Sequence, residues 1–465
     1  MLLLTLWSCA AQDPVVDTGW TGPHDSYGTL SCYEGDGEVW VMSGASLLAG
    51  ELGPGDALAI VRREAEFSRW LHIGQHMAAL PDLDGDGLGE LAVSWGPMVS
   101  VLSGASLASG TADLEAPLAT FAGDDVGDTV DGLQAIGDLD GDGLDDLAIV
   151  QTQDYPATGS TVVLTSAQLS SGGTFGPADA WVRLQEEARN IAMLRAGVGD
   201  LDGDGAEDLA LLGSFTGDDD EDDSWAGRRL QVWLAADLAA GGVRAATEAS
   251  ATVQESAELP LHHSRQGRIG DLDGDGADDL LLGLHIFSGA ALSGEHDIDD
   301  AWSAPGADLY DDGGLAWMDT NGDGVSELLL QDYGWAAGGA GGLSAQLVSG
   351  ASWTDGHGLG TVLASTGHDV DHLVQLVGSV SDLDGDGVDE AWALIAHGSA
   401  DTLPELRLWS GAELGAGWDL AAPDGRIELP DCGWNSAVVA LGDLDGDGRS
   451  ELAVSLPENR VEESY

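Results

Sequence analysis

The 465-residue chain contains no lysine, and its 15 basic residues are all arginine. Without a lysine amine, Schiff-base catalysis and the lysine-dependent phosphate loop of nucleotide-binding proteins are excluded. No apolar run reaches the 18 residues that a membrane-spanning helix needs. Acidic residues number 82, which gives a formal net charge of −67 and argues against nucleic acid or an anionic membrane surface as a partner.

What the chain does contain is a nine-residue acidic motif in seven copies, whose starts lie 48 to 71 residues apart. Six copies read Asp-Leu-Asp-Gly-Asp-Gly, then two variable residues and an acid, and one reads Asp-Thr-Asn-Gly-Asp-Gly-Val-Ser-Glu. This spacing indicates one motif in each of seven small structural units. We number the copies loop 1 to loop 7, with first residues Asp82, Asp138, Asp200, Asp271, Asp319, Asp382 and Asp443.

Positions 1, 3, 5 and 9 of each loop carry side-chain oxygen, and positions 4 and 6 are glycine. Alternating oxygen donors and glycine turns are typical of loops that surround a hard cation such as Ca²⁺, with the backbone carbonyl of position 7 as a further ligand. Position 8 varies, so we expect it to lie outside the ion's shell. We predict up to seven Ca²⁺ sites, with these ligands: Asp82, Asp84, Asp86, Leu88, Glu90; Asp138, Asp140, Asp142, Leu144, Asp146; Asp200, Asp202, Asp204, Ala206, Asp208; Asp271, Asp273, Asp275, Ala277, Asp279; Asp319, Asn321, Asp323, Val325, Glu327; Asp382, Asp384, Asp386, Val388, Glu390; Asp443, Asp445, Asp447, Arg449, Glu451.

The EF-hand type of calcium loop is excluded by the residues that follow the motif. Such a loop needs an acid at position 12 and a helix after it. Position 12 is apolar in every copy, from Val93 in loop 1 to Val454 in loop 7. Short apolar runs precede and follow the loops, and runs of this length predict buried strands. The predicted unit is therefore strand, metal loop, strand.

A second repeat interleaves with the loops: an alternating apolar strand that ends in Ser-Gly-Ala or a variant, followed by a weaker fourth strand. Four consecutive strands in about 60 residues match one blade of a propeller. The first Ser-Gly-Ala segment (43–45) precedes every loop, and no such segment follows the last loop. In a closed ring the N-terminal strand fills that gap and leaves no open sheet edge. We predict an all-β, seven-bladed β-propeller whose last blade is completed by the N-terminal strand.

The chain resembles the FG-GAP repeat family, of the integrin α-subunit type, through its Asp-x-Asp-Gly-Asp-Gly-x-x-Asp/Glu motifs over roughly residues 32–457. The resemblance implies a seven-bladed propeller with a calcium loop between the first and second strands of a blade. The family's Phe-Gly before the loop is missing, and Gly-Ala-Pro after it survives only in traces such as Gly96-Pro97. Asn321 replaces the acid of position 3 in loop 5, so we expect a weaker site there.

The three cysteines bear on compartment and on ring closure. Cys9 follows a short apolar start that resembles a bacterial lipobox, so we predict a signal peptide at residues 1–8 and a lipid on Cys9. Residues 9–31 are then a tether, 32–457 the propeller and 458–465 a tail. Cys32 and Cys432 flank the two strands that would meet in the last blade, so we predict a disulfide between them. These features and loops suited to extracellular calcium predict an outer-membrane or cell-surface lipoprotein, or otherwise a secreted protein.

Two classes of function are open. The first is a monomeric, calcium-binding surface or adhesion module that binds a protein or glycan through its loops, with no catalytic residues and no cofactor besides Ca²⁺. The alternative is an extracytoplasmic hydrolase or lyase, since histidines such as His72 and His76 lie ahead of first strands. We expect the strand tryptophans Trp40, Trp233 and Trp409 to pack between blades rather than to stack on sugars.

Overall fold

The structure is a computed structural model that describes residues 37–47, 51–63, 72–123, 128–153, 159–185, 190–216, 225–254, 266–268, 270–271, 275–282, 285–301, 315–322, 326–334, 342–350, 361–365, 372–397, 404–414, 418–419, 422–429 and 437–456. Cys9, Cys32 and Cys432, the predicted boundaries at residues 8 and 31, and the tail at 458–465 lie outside these ranges. So do three of the predicted ligands, Asp273, Asp323 and Val325.

Strands make up most of the described chain. In chain order they are β1 (Glu38–Met42), β2 (Glu51–Leu52), β3 (Ala59–Val61), β4 (Met77–Leu80), β5 (Glu90–Trp95), β6 (Met98–Leu102), β7 (Ala119–Ala122), β8 (Asp128–Ile136), β9 (Asp146–Gln153), β10 (Gly159–Leu164), β11 (Gly173–Phe175), β12 (Val182–Gln185), β13 (Asn190–Gly199), β14 (Asp208–Thr216), β15 (Trp225–Trp233), β16 (Gly242–Ala245), β17 (Ala251–Gln254), β18 (Gln266–Arg268), β19 (Leu280–Leu282), β20 (His285–Phe287), β21 (Gly294–Asp297), β22 (Leu315–Met318), β23 (Glu327–Gly334), β24 (Gly342–Val348), β25 (Val362–Ser365), β26 (His372–Val380), β27 (Glu390–His397), β28 (Glu405–Trp409), β29 (Gly425–Glu428), β30 (Val438–Ala440) and β31 (Leu452–Leu456).

The helices are single turns, most of which follow the third strand of a sheet. The α-helices are α1 (Gly44–Leu47), α2 (Gly104–Ala108), α3 (Ser166–Ser170), α4 (Ala235–Leu238) and α5 (Gly411–Leu414). Short 3₁₀ turns occupy Pro54–Asp56, Pro177–Asp179, Ala246–Glu248, Gly289–Ala291 and Ile298–Asp300. In the part of the chain that the structure describes, no helix is both long and apolar enough to cross a membrane.

The strands form seven sheets, which we number by the loop that each contains. Sheet 1 is built on β4–β7, sheet 2 on β8–β10 with β12, and sheet 3 on β13–β15 with β17. Sheet 4 contains β18–β20, sheet 5 contains β22–β25, and sheet 6 is built on β26–β29. Sheet 7 has the order β3-β1-β31-β30. Within each of these sets, neighbouring strands are antiparallel.

The predicted all-β propeller is confirmed, whereas the predicted count of seven complete blades is not. Six sheets have the four or five strands of a blade, and sheet 4 has three in the described ranges. β21 pairs with β17 of sheet 3, and residues 302–314, which follow it and its 3₁₀ turn, lie outside the described ranges. First strands of neighbouring sheets touch in the order β22, β26, β30, β4, β8, β13, β18, which runs past both chain termini.

The N-terminal strand completes sheet 7, as predicted. β1 lies between β3 and β31, and its residues from Glu38 to Met42 pair with β31 from Leu456 back to Leu452. Because β31 is the last described strand, this pairing joins the two ends of the chain. The inner strands of one sheet therefore come from residues about 400 positions apart, and sheet 7 cannot form before the rest of the chain is made.

Four sheets carry a fifth strand that was not predicted. β2, β11, β16 and β21 follow the helical turns, and each crosses to the preceding sheet. There they pair in parallel with the fourth strands β29, β7, β12 and β17. An edge strand exposes unpaired N–H and C=O groups, so this addition satisfies one more strand and ties each blade to the next.

The apolar core lies between neighbouring sheets, and for this reason the strands are apolar on both faces. In β5, Leu91 and Val93 pack towards Val39 of sheet 7, whereas Ala92 packs towards Leu147 of sheet 2. The strand tryptophans are part of this core, as predicted: Trp40, Trp233 and Trp409 lie in three different clusters between sheets. Burial on both faces explains the continuous apolar runs beside the loops.

Candidate metal centres in the acidic loops

Each loop connects the first strand of its sheet to the second, and its backbone wraps around the carboxylate of position 1. In loop 1, Oδ1 of Asp82 accepts hydrogen bonds from the N–H groups of Gly85 (2.7 Å) and Asp86 (3.1 Å), and Oδ2 accepts one from Gly87 (2.8 Å). Loops 2 and 7 repeat all three bonds. One carboxylate thus fixes three consecutive residues of the turn.

The glycines of positions 4 and 6 are required by the backbone that this wrapping imposes. Gly85 has φ of 81° and Gly87 has φ of 89°, in the left-handed region where a side chain is strained. The same values recur, within about 15°, in every described glycine of these two positions. The sequence prediction that glycine permits the sharp turn is confirmed by these angles.

Carboxylate oxygens of the predicted ligands converge in the loops. In loop 1, one oxygen each from Asp82, Asp84, Asp86 and Glu90 lie within 4.8 Å of one another. Four further loops bring three together: Asp138, Asp140, Asp142; Asp200, Asp202, Asp208; Asp382, Asp384, Asp386; Asp443, Asp445, Glu451. In loops 4 and 5 the described ligands are Asp271, Asp275, Ala277 and Asp279, and Asp319, Asn321 and Glu327. Like charges this close repel one another unless a cation or protons neutralise them.

The acid of position 9 is buried in every loop, at the start of the second strand. Glu90, Asp146, Glu390 and Glu451 are 0% exposed. In Glu90, Oε2 accepts a 2.9 Å bond from the N–H of Leu83, whereas Oε1 is buried without a hydrogen-bond partner. Glu390 has the same arrangement, with Leu383 as the donor. A buried carboxylate oxygen without a partner is costly unless something binds it.

Burial shifts the pKa values of these acids strongly. Loss of solvent raises the pKa of Glu90 and of Glu390 to about 8, and the neighbouring aspartates of the loop add to the rise. The pKa of Asp146 and that of Glu451 rise to about 7, and that of Asp208 to about 6, for the same reason. In each case a backbone N–H of position 2 opposes the shift. These acids are poorly stabilised as anions by the protein alone.

The residues at positions 2 and 7 hold the loop in shape and do not provide ligand side chains. Leucine at position 2, such as Leu83 or Leu444, is buried and anchors the loop in the core. The N–H of position 7 donates to the carboxylate of position 5, for example from Leu88 to Asp86 Oδ1 at 2.8 Å. The same bond is made by Leu144, Ala206, Ala277, Val388 and Arg449.

The Ser-Gly-Ala segment packs on the loop of its own sheet. In loops 1, 2 and 4 its first or second residue donates a hydroxyl to the position-5 carboxylate, from Ser103 to Asp86 at 3.4 Å, from Ser166 to Asp142 at 2.8 Å and from Ser288 to Asp275 at 3.0 Å. A Cβ on Gly411 would lie 1.9 Å from the carbonyl oxygen of position 8 in loop 6, so only glycine fits there. The repeat is visible in the sequence, but only the structure shows that it packs on the acidic loop as a seat.

Aspartate and glutamate at position 9 use this seat differently. In loops 2 and 3, Oδ1 of Asp146 and Asp208 accepts the N–H of the seat, from Ser166 at 2.9 Å and Ala235 at 2.8 Å. In Glu90 and Glu390, Oε1 is buried and makes no such bond. Loops 1 and 6 therefore offer a cation one carboxylate oxygen that no backbone group occupies.

In loop 5 both carboxylate oxygens of the position-9 acid accept hydrogen bonds from the protein itself. Oε2 of Glu327 accepts bonds from the N–H and hydroxyl of Thr320, at 3.0 and 2.8 Å. Oε1 accepts a 3.3 Å bond from Nδ2 of Asn321, the residue that replaces the acid of position 3. An asparagine that donates its amide to the position-9 acid must turn round to present its oxygen to a cation.

On the sheet end opposite the loops, His76 precedes β4. Burial lowers the pKa of His76 to about 4, and Asp131 on β8 opposes the shift. His76 is therefore neutral near pH 7, and its backbone N–H is bonded to Ser94 Oγ at 2.9 Å. A histidine with so low a pKa is a poor proton donor at neutral pH.

The chain matches no protein-family model and no curated protein. Among solved structures it is similar to rhamnogalacturonan lyase YesW, with 16% identity over 72% of this chain and 56% of that one and a TM-score of 0.36. The lyase PL11 of Bacillus licheniformis has 14% identity over 81% and 71%, with a TM-score of 0.39. BBS1N in its complex with ARL6DN has 10% identity over 86% and 95%, also with 0.39. The chain spans little more than half the length of the first, and similarity at this level carries no information about its own activity.

Proposed function

We propose that the seven acidic loops are Ca²⁺ sites and that the protein is a calcium-stabilised propeller of the FG-GAP type. The observation that carries this proposal is the buried, unpartnered Oε1 of Glu90, which belongs to a group of four converging carboxylates. Desolvation raises the pKa of this acid, and a divalent cation would remove the cost by neutralising the group. Glu390 supports the same conclusion in loop 6.

The chemistry of the donors favours calcium among biological cations. The described ligands are carboxylate oxygens, with no sulfur or imidazole within any of the five converging groups. Oxygen-only sets suit Ca²⁺ and Mg²⁺, and softer metals prefer nitrogen or sulfur. Ca²⁺–oxygen distances of about 2.3–2.6 Å allow ligands up to about 5 Å apart, and the oxygens of each group all lie within 4.8 Å of one another.

The seventh sheet of the ring is part of the proposal. Sheet 4 lies in the place of a blade, with β18 against β13 and loop 4 between β18 and β19. We infer that it is the seventh blade. Seven first strands touch one another in the order β22, β26, β30, β4, β8, β13 and β18, and this order supports a count of seven blades.

A rigid, calcium-dependent ring suits a binding scaffold better than a catalyst. We propose an extracytoplasmic, monomeric module that presents loops to a protein or glycan ligand, attached to the membrane only through a lipid on Cys9. Calcium at extracellular concentration fills loops of this kind, whereas cytosolic calcium does not. We also propose the Cys32–Cys432 disulfide across the ring closure, which peptide mapping of the exported protein without reductant would detect.

Catalysis is the second candidate. A hydrolase or lyase needs a proton donor or acceptor with a pKa near the working pH, and the neutral His76 beside Asp131 does not supply a donor at pH 7. Release of reducing ends or unsaturated products from a polysaccharide panel would favour catalysis over the binding role.

Calcium titration of the exported protein tests the primary proposal. Isothermal titration should show five or more sites, and EDTA should lower the melting temperature strongly. Screening of glycan and protein arrays with calcium and with EDTA then tests the binding role separately. A melting temperature that neither EDTA nor calcium changes would remove the calcium proposal, and calcium-dependent stability without any array ligand would remove only the binding role.

A further inference from the structure

In loops 3, 4 and 6 the acidic side chain of position 8 contacts the preceding loop or the residue just before it. Oδ2 of Asp278, in loop 4, accepts a 2.9 Å hydrogen bond from the N–H of Asp200, the first residue of loop 3. The N–H of Asp278 donates in return to the carbonyl oxygen of Asp200, at 2.7 Å. Two hydrogen bonds therefore join position 8 of one loop to position 1 of its neighbour.

The same two-way contact occurs between loops 5 and 6. Oδ2 of Asp389 accepts the N–H of Asp319 at 3.0 Å, and the N–H of Asp389 donates to the Asp319 carbonyl at 3.1 Å. Between loops 2 and 3, the carboxylate of Glu207 lies against Gly137, the residue before loop 2, where a Cβ would be 1.7 Å from Oε2. Three described junctions thus use an acid at position 8.

The residue held by this contact is the one that organises its loop. The carboxylate of Asp200 accepts the N–H groups of Asp204 and Gly205 at 2.9 Å each, so the backbone position of Asp200 sets that of the turn. Its side chain also belongs to the converging group of loop 3. Position 8 of loop 4 therefore helps to place the first ligand of loop 3, 78 residues earlier.

We propose that Glu207, Asp278 and Asp389 are positioning residues that couple the cation sites of neighbouring blades. The inference rests on the proposed calcium sites. A cation in loop 4 would fix the backbone from Asp275 to Asp279, and with it both groups of Asp278 that hold Asp200. Loop 3 would then bind its own cation with less loss of freedom, and linkage requires the same gain in the other direction.

The chain contains junctions that lack the acid. Gly89 is position 8 of loop 1, and it packs against the carbonyl of Leu441 beside loop 7 without a side chain to accept a bond. Asp145, position 8 of loop 2, is exposed. Coupling should therefore be strong between loops 3 and 4 and between loops 5 and 6, and weak across the junction of loops 7 and 1.

Hydrogen–deuterium exchange of the full chain, followed by mass spectrometry, reads each loop separately during a calcium titration. Asp278→Ala should move the calcium midpoint of the loop 3 peptide to about tenfold higher concentration, within the range of ordinary allosteric coupling. The midpoint of loop 4 should rise as well, because linkage makes both sites lose the same coupling free energy. Asp278→Asn should restore loop 3, since its amide oxygen can accept the same N–H.

Asp145→Ala is the matched control at an exposed position 8, and it should leave the loop 1 midpoint unchanged. Asp271→Asn, which weakens the ion site of loop 4 and leaves Asp278 in place, should also raise the loop 3 midpoint. That variant measures the coupling if Asp278→Ala fails to fold. Equal midpoints of loop 3 in wild type, Asp278→Ala and Asp271→Asn overturn the coupling. Absence of calcium protection in every wild-type loop overturns the calcium sites themselves.

Discussion

Gly44 packs against the carbonyl oxygen of Ser450, so closely that a Cβ on Gly44 would lie 2.2 Å from that oxygen. Gly44 belongs to the first Ser-Gly-Ala segment of the chain, and Ser450 is position 8 of the last loop. The carbonyl of Leu383, in loop 6, is a further 3.2 Å neighbour of the same Cβ position. The N-terminal segment thus packs against the last acidic loop, as other segments pack against the loops of their own sheets.

Gly44→Ala should therefore weaken ring closure. The added methyl group must displace the backbone of Ser450, and overpacking of this kind costs about 1–3 kcal/mol. Chemical denaturation should show the loss in the free energy of unfolding. Gly53→Ala is the control, because a Cβ there meets no atom within 4 Å and its φ is −139°. Equal stability of the two variants would contradict the proposed seat.

The loops could be predicted from the sequence because their chemistry is local. Oxygen side chains at positions 1, 3, 5 and 9 and glycines with positive φ at 4 and 6 lie within nine residues. In five loops the structure brings carboxylate oxygens of three or four predicted ligands within 4.8 Å of one another. Pairing of β1 with β31 was also predictable, since one strand pattern lacked a loop and one loop lacked a strand. Both inferences needed only counting along the chain.

Contacts between units could not be predicted in this way. Position 8 varies in type, and its carboxylates act on the neighbouring loop, so nothing within one loop indicates their role. The fifth strands, such as β11 and β16, are two to four residues long and pair with another blade. So short a strand carries no periodicity of its own. The same is true of β21, which follows sheet 4 and adds to β17 of sheet 3.

Glu90→Gln should remove the calcium response of loop 1 and stabilise the protein in EDTA. The amide is neutral, so the calcium-free variant no longer buries a carboxylate among three aspartates. At about 10 mM calcium and a Kd of about 10⁻⁴–10⁻³ M, the lost site is worth roughly 1.4–2.7 kcal/mol. Thermal melting with calcium and with EDTA measures both effects. Glu295→Gln, at an exposed residue, should change neither, and an unaltered calcium response of Glu90→Gln would count against its assignment as a ligand.

Stability of the calcium-free protein should fall as the pH rises from about 7 to 8.5. Glu90 and Glu390 have folded-state pKa values of about 8, above the ordinary 4.5, so the folded state holds protons that the unfolded state has lost. Under that condition the free energy of unfolding decreases with pH until both groups ionise. Bound calcium keeps them ionised and should remove the slope.

Melting temperatures measured in EDTA and in calcium between about pH 7 and pH 8.5 give the pH dependence of stability without and with the ion. His76, with a pKa of about 4, does not titrate there. The double variant Glu90→Gln, Glu390→Gln is the control, and its slope in EDTA should be smaller than that of the wild type. A wild-type slope that is the same in calcium and in EDTA would show that these acids do not bind the ion.

Asn321→Asp should raise the calcium affinity of loop 5. The aspartate restores a fourth carboxylate, and it removes the amide that now bonds to Glu327. Affinity of such loops rises with the number of charged ligands, and we expect a gain of roughly tenfold, or about 1.4 kcal/mol. The calcium midpoint of exchange in the 319–327 peptide measures it. Asp84→Asn makes the reverse change in loop 1 and should weaken that loop by a similar factor. If Asn321→Asp left the loop 5 midpoint unchanged while Asp84→Asn raised that of loop 1, position 3 of loop 5 would not face the ion.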